Sequence, residues 1–454
     1  MFKREILKEL EEWAIRPGRK PLVLRGARQV GKTTLVNEFS KKFEQYIYLN
    51  LELPEDRRPF EQFSNIETLV QTLFFIRNLS LQKKNKTLIF IDEIQVTPRA
   101  LNILRFFLES EPEIAVIAAG SLLETLFDKN ISFPVGRVEY LMVRPASFPE
   151  FLNAMGETTA LEQLSLVPIA PFTHPRLLQL FHTYALIGGM PEVVNHYSMH
   201  RDLTSLSRIF DSLLASYLDD VEKYAISNAQ VLHIRHAINS SFTVAGKRIK
   251  FEGFGNSTYR SRDMSEALRI LEKALLLHLI YPCTNAMMPL VQDIRKSPRL
   301  QLLDTGLLNY VSGMQTEISL SNDLHSAYKG TVLEHLVGQE LMAMKFHALS
   351  RLNFWVREKK TSSAEVDYLY SFEGKIIPVE VKSGKEGKLK SLQLFMDESP
   401  QNLAVRFNSN MFSISDSITT QGKKFHLINI PYYLVSKIDS YLKWFIENQK
   451  QDSL

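Results

Sequence analysis

Apolar runs of strand length recur along the first third of the chain, at 21–25, 46–51, within "KTLIFIDEIQ" up to Asp92-Glu93, and at 114–121 and 138–143. Helix-period stretches separate them, which predicts a parallel sheet wrapped by helices, an α/β architecture. Ahead of these runs, "MFKREILKELEEWAI" alternates charge and apolar bulk as an amphipathic helix does, without the uninterrupted apolar core of a leader peptide. Near the far end, "EVDYLYS" and "KIIPVEVK" read as two strands joined by "FEGK", a tight hairpin turn in which Gly374 supplies positive φ. The helix-period stretch "YKGTVLEHLVGQELMAMKF" precedes that hairpin.

The hairpin carries charge where an apolar strand would not. With Glu373-Gly374 as a two-residue loop, Phe372 faces Lys375, Asp367 faces Glu380 and Glu365 faces Lys382. Alternation then puts those four charged side chains on one face and Val366, Tyr368, Tyr370, Ile377, Val379 and Val381 on the other. Two opposed carboxylates destabilise a sheet unless a cation neutralises them. A divalent metal on Asp367 and Glu380 would do so, with Mg²⁺ expected, Mn²⁺ as a substitute and Lys382 beside the metal to assist phosphoryl chemistry. The alternative is a solvent-facing sheet with a plain Glu365–Lys382 cross-strand pair.

At the front, "PLVLRGARQVGKTTLVNEFSKKF" contains G-x-x-x-x-G-K-[ST] between an apolar strand and a helix. Backbone N–H groups of Gly26, Ala27, Arg28, Gln29, Val30, Gly31, Lys32, Thr33 and Thr34 are the candidate phosphate cradle. Lys32 is expected on the β- and γ-phosphates of ATP and the Thr33 hydroxyl on Mg²⁺. "KTLIFIDEIQ" supplies the matching acidic strand end: Asp92 to hold the Mg²⁺ through water, Glu93 to polarise the attacking water. Ser121, leaving the next strand, is either a sensor of the γ-phosphate or the N-cap of "LLETLF". Arg137, just before the last strand, is either an arginine finger or an ordinary loop arginine.

Bulk numbers narrow the setting. The 454 residues suffice for about three domains, and 45% apolar with 23% charged residues is ordinary globular composition. A net charge of +4 is too small to demand a nucleic-acid partner, though it leaves room for a local basic patch. The single cysteine, Cys283, excludes an intrachain disulfide and suits a reducing, cytoplasmic setting. No run of 18 uncharged apolar residues predicts a membrane span.

Taken in order, "GARQVGKTTL", "IFIDEIQ", "GSLLE", "GR" before "RPASFPEFL", "GGMPEVV", "LQLLDTGLLNY", "GTVLEHLVGQEL" and "EVDYLY…PVEVKSG" resemble the prokaryotic AAA+/STAND-like P-loop ATPases that carry a C-terminal endonuclease-like domain of PD-(D/E)XK type. The resemblance implies an ATPase core over 1–155, a helical lid over 156–224, a winged helix over 225–324 and the endonuclease-like domain over 325–454. It also implies that "GGMP" is the lid element touching adenine through Gly189 and Pro191, although read locally it is a turn. In the endonuclease-like pattern Val366 stands where proline is common, and Glu334 is the expected third acid beside Asp367 and Glu380.

Within 225–324, "NAQVLHIRHAINSSF" and "DMSEALRILEKALLLHLIY" carry helix period, and "KRIKFEGFGNSTYRSR" between them is basic and turn-rich. Lys247, Arg248, Lys250, Arg260 and Arg262 are candidate phosphate contacts, against the plainer reading of a solvated charged face. Two functions remain open at this point. One is an ATP-driven, DNA-acting enzyme with a Mg²⁺-dependent nuclease-like site. The other is a nucleotide-regulated switch, homo-oligomeric or bound to a protein partner, whose last domain only docks.

Overall fold

The computed structural model describes residues 2–120, 136–315, 330–359, 362–382 and 389–451. Five parallel strands form the front sheet: β1 (Leu22–Arg25), β2 (Gln45–Asn50), β3 (Thr87–Asp92), β4 (Ala115–Ala119) and β5 (Glu139–Met142), in the order β2-β3-β4-β1-β5. All six residues of β3 and all five of β4 are buried, as expected of strands with helices on both faces. The leading helix, Ile6–Ile15, buries Ile6, Leu7, Leu10 and Trp13, the stripe its sequence period predicts.

The middle of the chain is helical. Helices His174–Ile187, Pro191–His200 and Ser207–Tyr224 precede a second pair, Asn228–Ser241 and Ser261–Lys273. The apolar period of "DMSEALRILEKALLLHLIY" predicts helix as far as Tyr281, but the helix ends at Lys273. Leu275 takes φ +61, and the following apolar residues become β6 (Leu277–Ile280), antiparallel to β8 (Arg299–Leu302). A β-ladder partner and a burial site were available to "LHLI", so tertiary pairing overrode the local helical period. A short β7 (Pro282–Cys283) precedes β8 and joins a separate three-stranded sheet.

After the helix Gly330–Ala343 come β9 (Phe354–Lys359), β10 (Ser362–Val366), β11 (Tyr368–Phe372), β12 (Lys375–Val381), β13 (Leu403–Asn408), β14 (Ser413–Ile418) and β15 (Lys424–Pro431). The last five build one mixed sheet, β11-β12-β13-β15-β14, while β10, β9 and β7 form the other. The hairpin has the register read from sequence, Phe372 opposite Lys375 and Tyr368 opposite Val379, with Glu373 at φ 45 and Gly374 at φ 74. "EVDYLYS" is nevertheless not one strand. The chain bends at Asp367, β10 leaves to pair with β9, and Val366 joins a different core cluster from Tyr368.

Among the described residues no helix is long and apolar enough to cross a membrane.

Candidate functional site

The phosphate loop leaves β1 at its C-terminal edge and runs into the helix Lys32–Ser40. Gly26 has to be glycine for steric reasons. A Cβ there would lie 2.4 Å from the Val143 carbonyl oxygen, because the end of β5 packs against the loop and the Val143 N–H donates to Arg25. Lys32 is buried, and its ammonium donates to the loop carbonyls of Gly26 and Ala27 at 2.9 Å each. Burial lowers its pKa to about 8, with Glu93 and Asp92 opposing that shift. The Thr33 hydroxyl donates to Asp92 Oδ2 at 2.6 Å, and the Glu93 N–H to Asp92 Oδ1 at 3.0 Å. Burial raises the Asp92 pKa, partly offset by the Thr33 bond. Glu93 sits in the left-handed region at φ 50, a sharp exit from β3 that turns its carboxylate off the strand. A hydroxyl oxygen and a carboxylate oxygen in contact beside an anion cradle are a donor set that suits Mg²⁺.

Contacts that the linear motif does not announce complete this region. Arg28 forms an ion pair with Asp220 of the helix Ser207–Tyr224, the Gln29 side chain reaches Ser216 at 3.4 Å, and the Tyr217 hydroxyl donates to the Arg28 carbonyl at 3.3 Å. Buried Arg4 donates to the Val30 carbonyl at 3.3 Å and to that of Arg144 at 2.6 Å, and it pairs with Glu150 at 3.0 Å. Pro191 opens the helix Pro191–His200, and its Cγ lies 3.6 Å from where a Gly31 Cβ would stand. "GGMP" is thus a turn, and one set against the phosphate loop.

That turn is gripped from behind. Gly189 donates its N–H to Asp304 Oδ2 at 2.6 Å and accepts from the Ala146 N–H at 2.6 Å; a Cβ on it would fall 2.2 Å from the Ala146 carbonyl oxygen. Gln339 donates to Asp304 Oδ2 at 3.3 Å and to the Tyr184 hydroxyl at 3.2 Å. Tyr184 in turn donates to Glu340, whose carboxylate accepts the Phe148 N–H. All these side chains are buried. Burial raises Glu340 to about 8 and Asp304 to about 6. In "LQLLDTGLLNY" and "GTVLEHLVGQEL" only Glu334 is assigned a role from the sequence; Asp304, Gln339 and Glu340, polar residues amid apolar neighbours, carry the signal for this network.

Of the other front-end candidates, Ser121 lies outside the described residues. Arg137 is on an exposed turn, 3.5 Å from Glu109. Lys247, Lys250, Arg260 and Arg262 are exposed, while Arg248 pairs with Glu358.

The C-terminal acids do converge. Asp367 and Glu380 are buried, Val381 N–H donates to Asp367 Oδ2 at 2.8 Å, and Lys382 pairs with Glu380. The unforeseen member is Arg299 of β8, 2% exposed, which pairs with Glu365 and approaches Asp367 Oδ1 at 3.9 Å and Glu334 Oε2 at 4.0 Å. It also donates to the Asp367 carbonyl at 2.9 Å and lies over the Phe354 ring. Glu365 is therefore not paired with Lys382. The charge problem posed by opposed acids is met by a guanidinium and an ammonium of the chain itself. Burial, then the neighbouring Asp367, raises both Glu334 and Glu380 to about 8. Glu380 Oε2 is buried with no hydrogen-bond partner among the described residues. Among those residues no group of three or more His, Cys, Asp or Glu is spaced to hold a metal ion.

Three family models match the chain: an AAA domain over residues 18–152, the domain of unknown function DUF8612 over 178–318, and the domain of unknown function DUF4143 over 329–433. No curated protein matches. Similar solved structures include the Walker-type ATPase PABY2304 of Pyrococcus abyssi (16% identity, TM-score 0.44, covering 69% of this chain and 96% of that one). Another is the Aeropyrum pernix Orc1 protein in complex with DNA (14%, 0.28, 68% and 90%). A third is the Thermotoga maritima RuvB Holliday junction branch migration motor (14%, 0.25, 61% and 90%). With its loop, acidic strand end and strand order in place, the segment 18–152 is an AAA domain of the P-loop ATPase type.

Proposed function

We propose that the protein binds ATP with Mg²⁺ at Gly26–Thr34 and Asp92, hydrolyses it with Glu93 orienting water, and uses the nucleotide state to reposition its middle and C-terminal parts. The observation that carries this is the Thr33–Asp92 contact at 2.6 Å beside a buried lysine held only by loop carbonyls. Thr33 and Asp92 would hold the Mg²⁺, whose chemistry when bound is to neutralise phosphate charge. Lys32 would exchange its carbonyl partners for phosphate oxygens. Gly189 and Pro191 would present the lid turn to adenine, and Ser121 would sense the γ-phosphate. Arg137, exposed on its turn, would reach the site of a second copy in a homo-oligomer.

Coupling runs through two features. Arg28 and Gln29 tie the loop to the helix Ser207–Tyr224, and entering phosphates compete with Asp220 for Arg28. Behind the lid turn, Asp304, Gln339 and Glu340 connect it rigidly to the helix Gly330–Ala343. The test is Glu93→Gln in the full chain: ATP binding retained and turnover lost supports the reading, and turnover at the wild-type rate overturns it.

A second reading concerns the C-terminal domain. The PD-(D/E)XK resemblance assigns Asp367, Glu380, Glu334 and Lys382 to one metal site, and what supports this reading is that Lys382 pairs with Glu380 while Glu380 Oε2 has no hydrogen-bond partner among the described residues. They would hold Mg²⁺ or Mn²⁺ for phosphodiester cleavage, with DNA reaching the site past Lys247, Lys250, Arg260 and Arg262 of the winged-helix-like region. Arg299 amid those acids favours the opposite, a docking fold for a protein partner. Calorimetric Mn²⁺ titration of the full chain, with cleavage assays on single-stranded and duplex DNA, separates them. Buried Cys283 accords with a cytoplasmic setting.

A further inference from the structure

Behind the nucleotide site, where the end of β5, the helix Ser261–Lys273 with β6, and the segment after the helix Gly330–Ala343 meet, lies a cavity of about 360 Å³. The ATPase chemistry uses none of it. Its charged or titratable lining includes Arg144, Arg269, Glu272, Lys273, His278 and Arg351, with Gln292 and Ser350 as neutral polar groups. Among the described residues that line it, Glu272 is the only acid, and one of its carboxylate oxygens already accepts the Leu279 N–H at 2.9 Å.

The arginines are poorly answered among the described residues. Arg144 is 9% exposed, and the one hydrogen bond of its guanidinium runs from Nε to the Lys345 carbonyl at 3.2 Å. Its two Nη groups have no partner among the described residues. Arg269 has only Ser265 Oγ, at 3.4 Å. Arg351 stands exposed with no ion-pair partner, and the His278 ring has no hydrogen bond, again among the described residues. Burying the Arg144 guanidinium without a counter-charge costs free energy unless an anion or water answers it, and the exposed Arg269 and Arg351 stand at the same cavity as further cations for an anion. The lining reports its own potential: burial, then Arg144 and Arg351, lowers the His278 pKa to about 3.

We propose that this cavity is a binding site, distinct from the phosphate loop, for a small organic phosphate carrying two or more negative charges. Three guanidiniums suit phosphate oxygens, which accept their planar forks two at a time. The volume falls in the range of about 300–1,000 Å³ usual for small-ligand pockets. Leu275, Leu279, Ile280 and Tyr281 supply an apolar side for the organic body. The site also touches the nucleotide machinery, because the Arg144 carbonyl accepts from Arg4, which holds the loop carbonyl of Val30. A ligand gripping Arg144 therefore bears on the phosphate loop through one buried side chain.

The experiment is calorimetric titration of the full chain with inorganic pyrophosphate, with and without a saturating non-hydrolysable ATP analogue. Citrate and a short single-stranded oligonucleotide serve as parallel probes. The expected result is one pyrophosphate site per chain that persists when the analogue is bound. Its affinity falls tenfold or more in Arg351→Ala and in Arg269→Ala, exposed positions whose loss leaves the fold intact, and further in Arg144→Gln. Binding abolished by the analogue, or unchanged in Arg351→Ala and Arg269→Ala, overturns the proposal. Citrate binding more tightly than pyrophosphate overturns the phosphate assignment. Oligonucleotide binding lost in these variants, with no pyrophosphate site, makes the cavity part of a nucleic-acid surface instead.

Discussion

Two regions of this molecule use the same ingredients to opposite effect. At the front, Asp92, Glu93 and Lys32 gather at a strand end; at the back, Asp367, Glu380 and Lys382 do so. In the first, the partners among the described residues are neutral: two loop carbonyls for the lysine, and a hydroxyl and a backbone N–H for the aspartate. In the second, Lys382 pairs with Glu380, and Arg299 stands among Glu365, Asp367 and Glu334. The front is built with charges awaiting a ligand, and the back has largely balanced its own. Matching residues in matching spacing therefore do not make matching sites, because neutralisation is supplied by whichever element packs alongside.

The largest effect expected is at the front. Lys32→Ala should abolish tight ATP binding, a loss of at least about a hundredfold measurable by calorimetry, because it removes the ammonium buried within the loop itself. Unchanged affinity would erase the contrast between the two regions. Arg137→Ala should cut turnover by roughly 10³-fold or more without altering binding, and wild-type turnover per protomer should rise with protein concentration. Turnover independent of both would reduce Arg137 to its surface pair with Glu109.

At the back, Arg299→Ala leaves buried acids uncompensated and should destabilise the fold by about 3–5 kcal/mol in denaturant titration. Recovery of that loss by Mn²⁺ would bring the C-terminal cluster closer to the front site in kind; no recovery would sharpen the difference. Asp220→Asn removes the competitor for Arg28 and should tighten ATP binding by about fivefold, the scale of a partly exposed ion pair of about 1 kcal/mol. The smallest effect concerns the seam joining the regions. Glu340 is raised by burial to about 8 from an ordinary carboxylate value, so the folded state favours its protonated form. Its stabilising effect is complete below the unfolded pKa and is lost as pH rises through about 8. Melting temperature should fall across that window, and Glu340→Gln should flatten the slope.

The front of the chain was legible because its chemistry is local. A strand, a glycine loop and a helix follow one another directly, and β1 to β5 lie within a residue or two of the runs read from apolar pattern. The hairpin register at Glu373-Gly374 was legible for the same reason, since a two-residue turn leaves one pairing. Arg299 was not: 68 residues separate it from Asp367, and in "SPRLQLL" it is one charge beside an apolar run. The Arg28–Asp220 pair, 192 residues apart, is beyond any local pattern.

By itself the sequence determined the order of the front-sheet elements, the strand, glycine loop and helix of the P-loop motif, and the register of the hairpin at Glu373-Gly374. These follow from backbone period, from glycine's freedom and from side-chain alternation, which act over a few residues. Only the tertiary structure decided that "EVDYLYS" breaks at Asp367, that "LHLI" is a strand, and that the acids of the last domain close on an arginine from the middle one. Those outcomes depend on which partner is near enough to share a hydrogen bond or a charge, and in a chain folded through several layers that partner is distant in sequence.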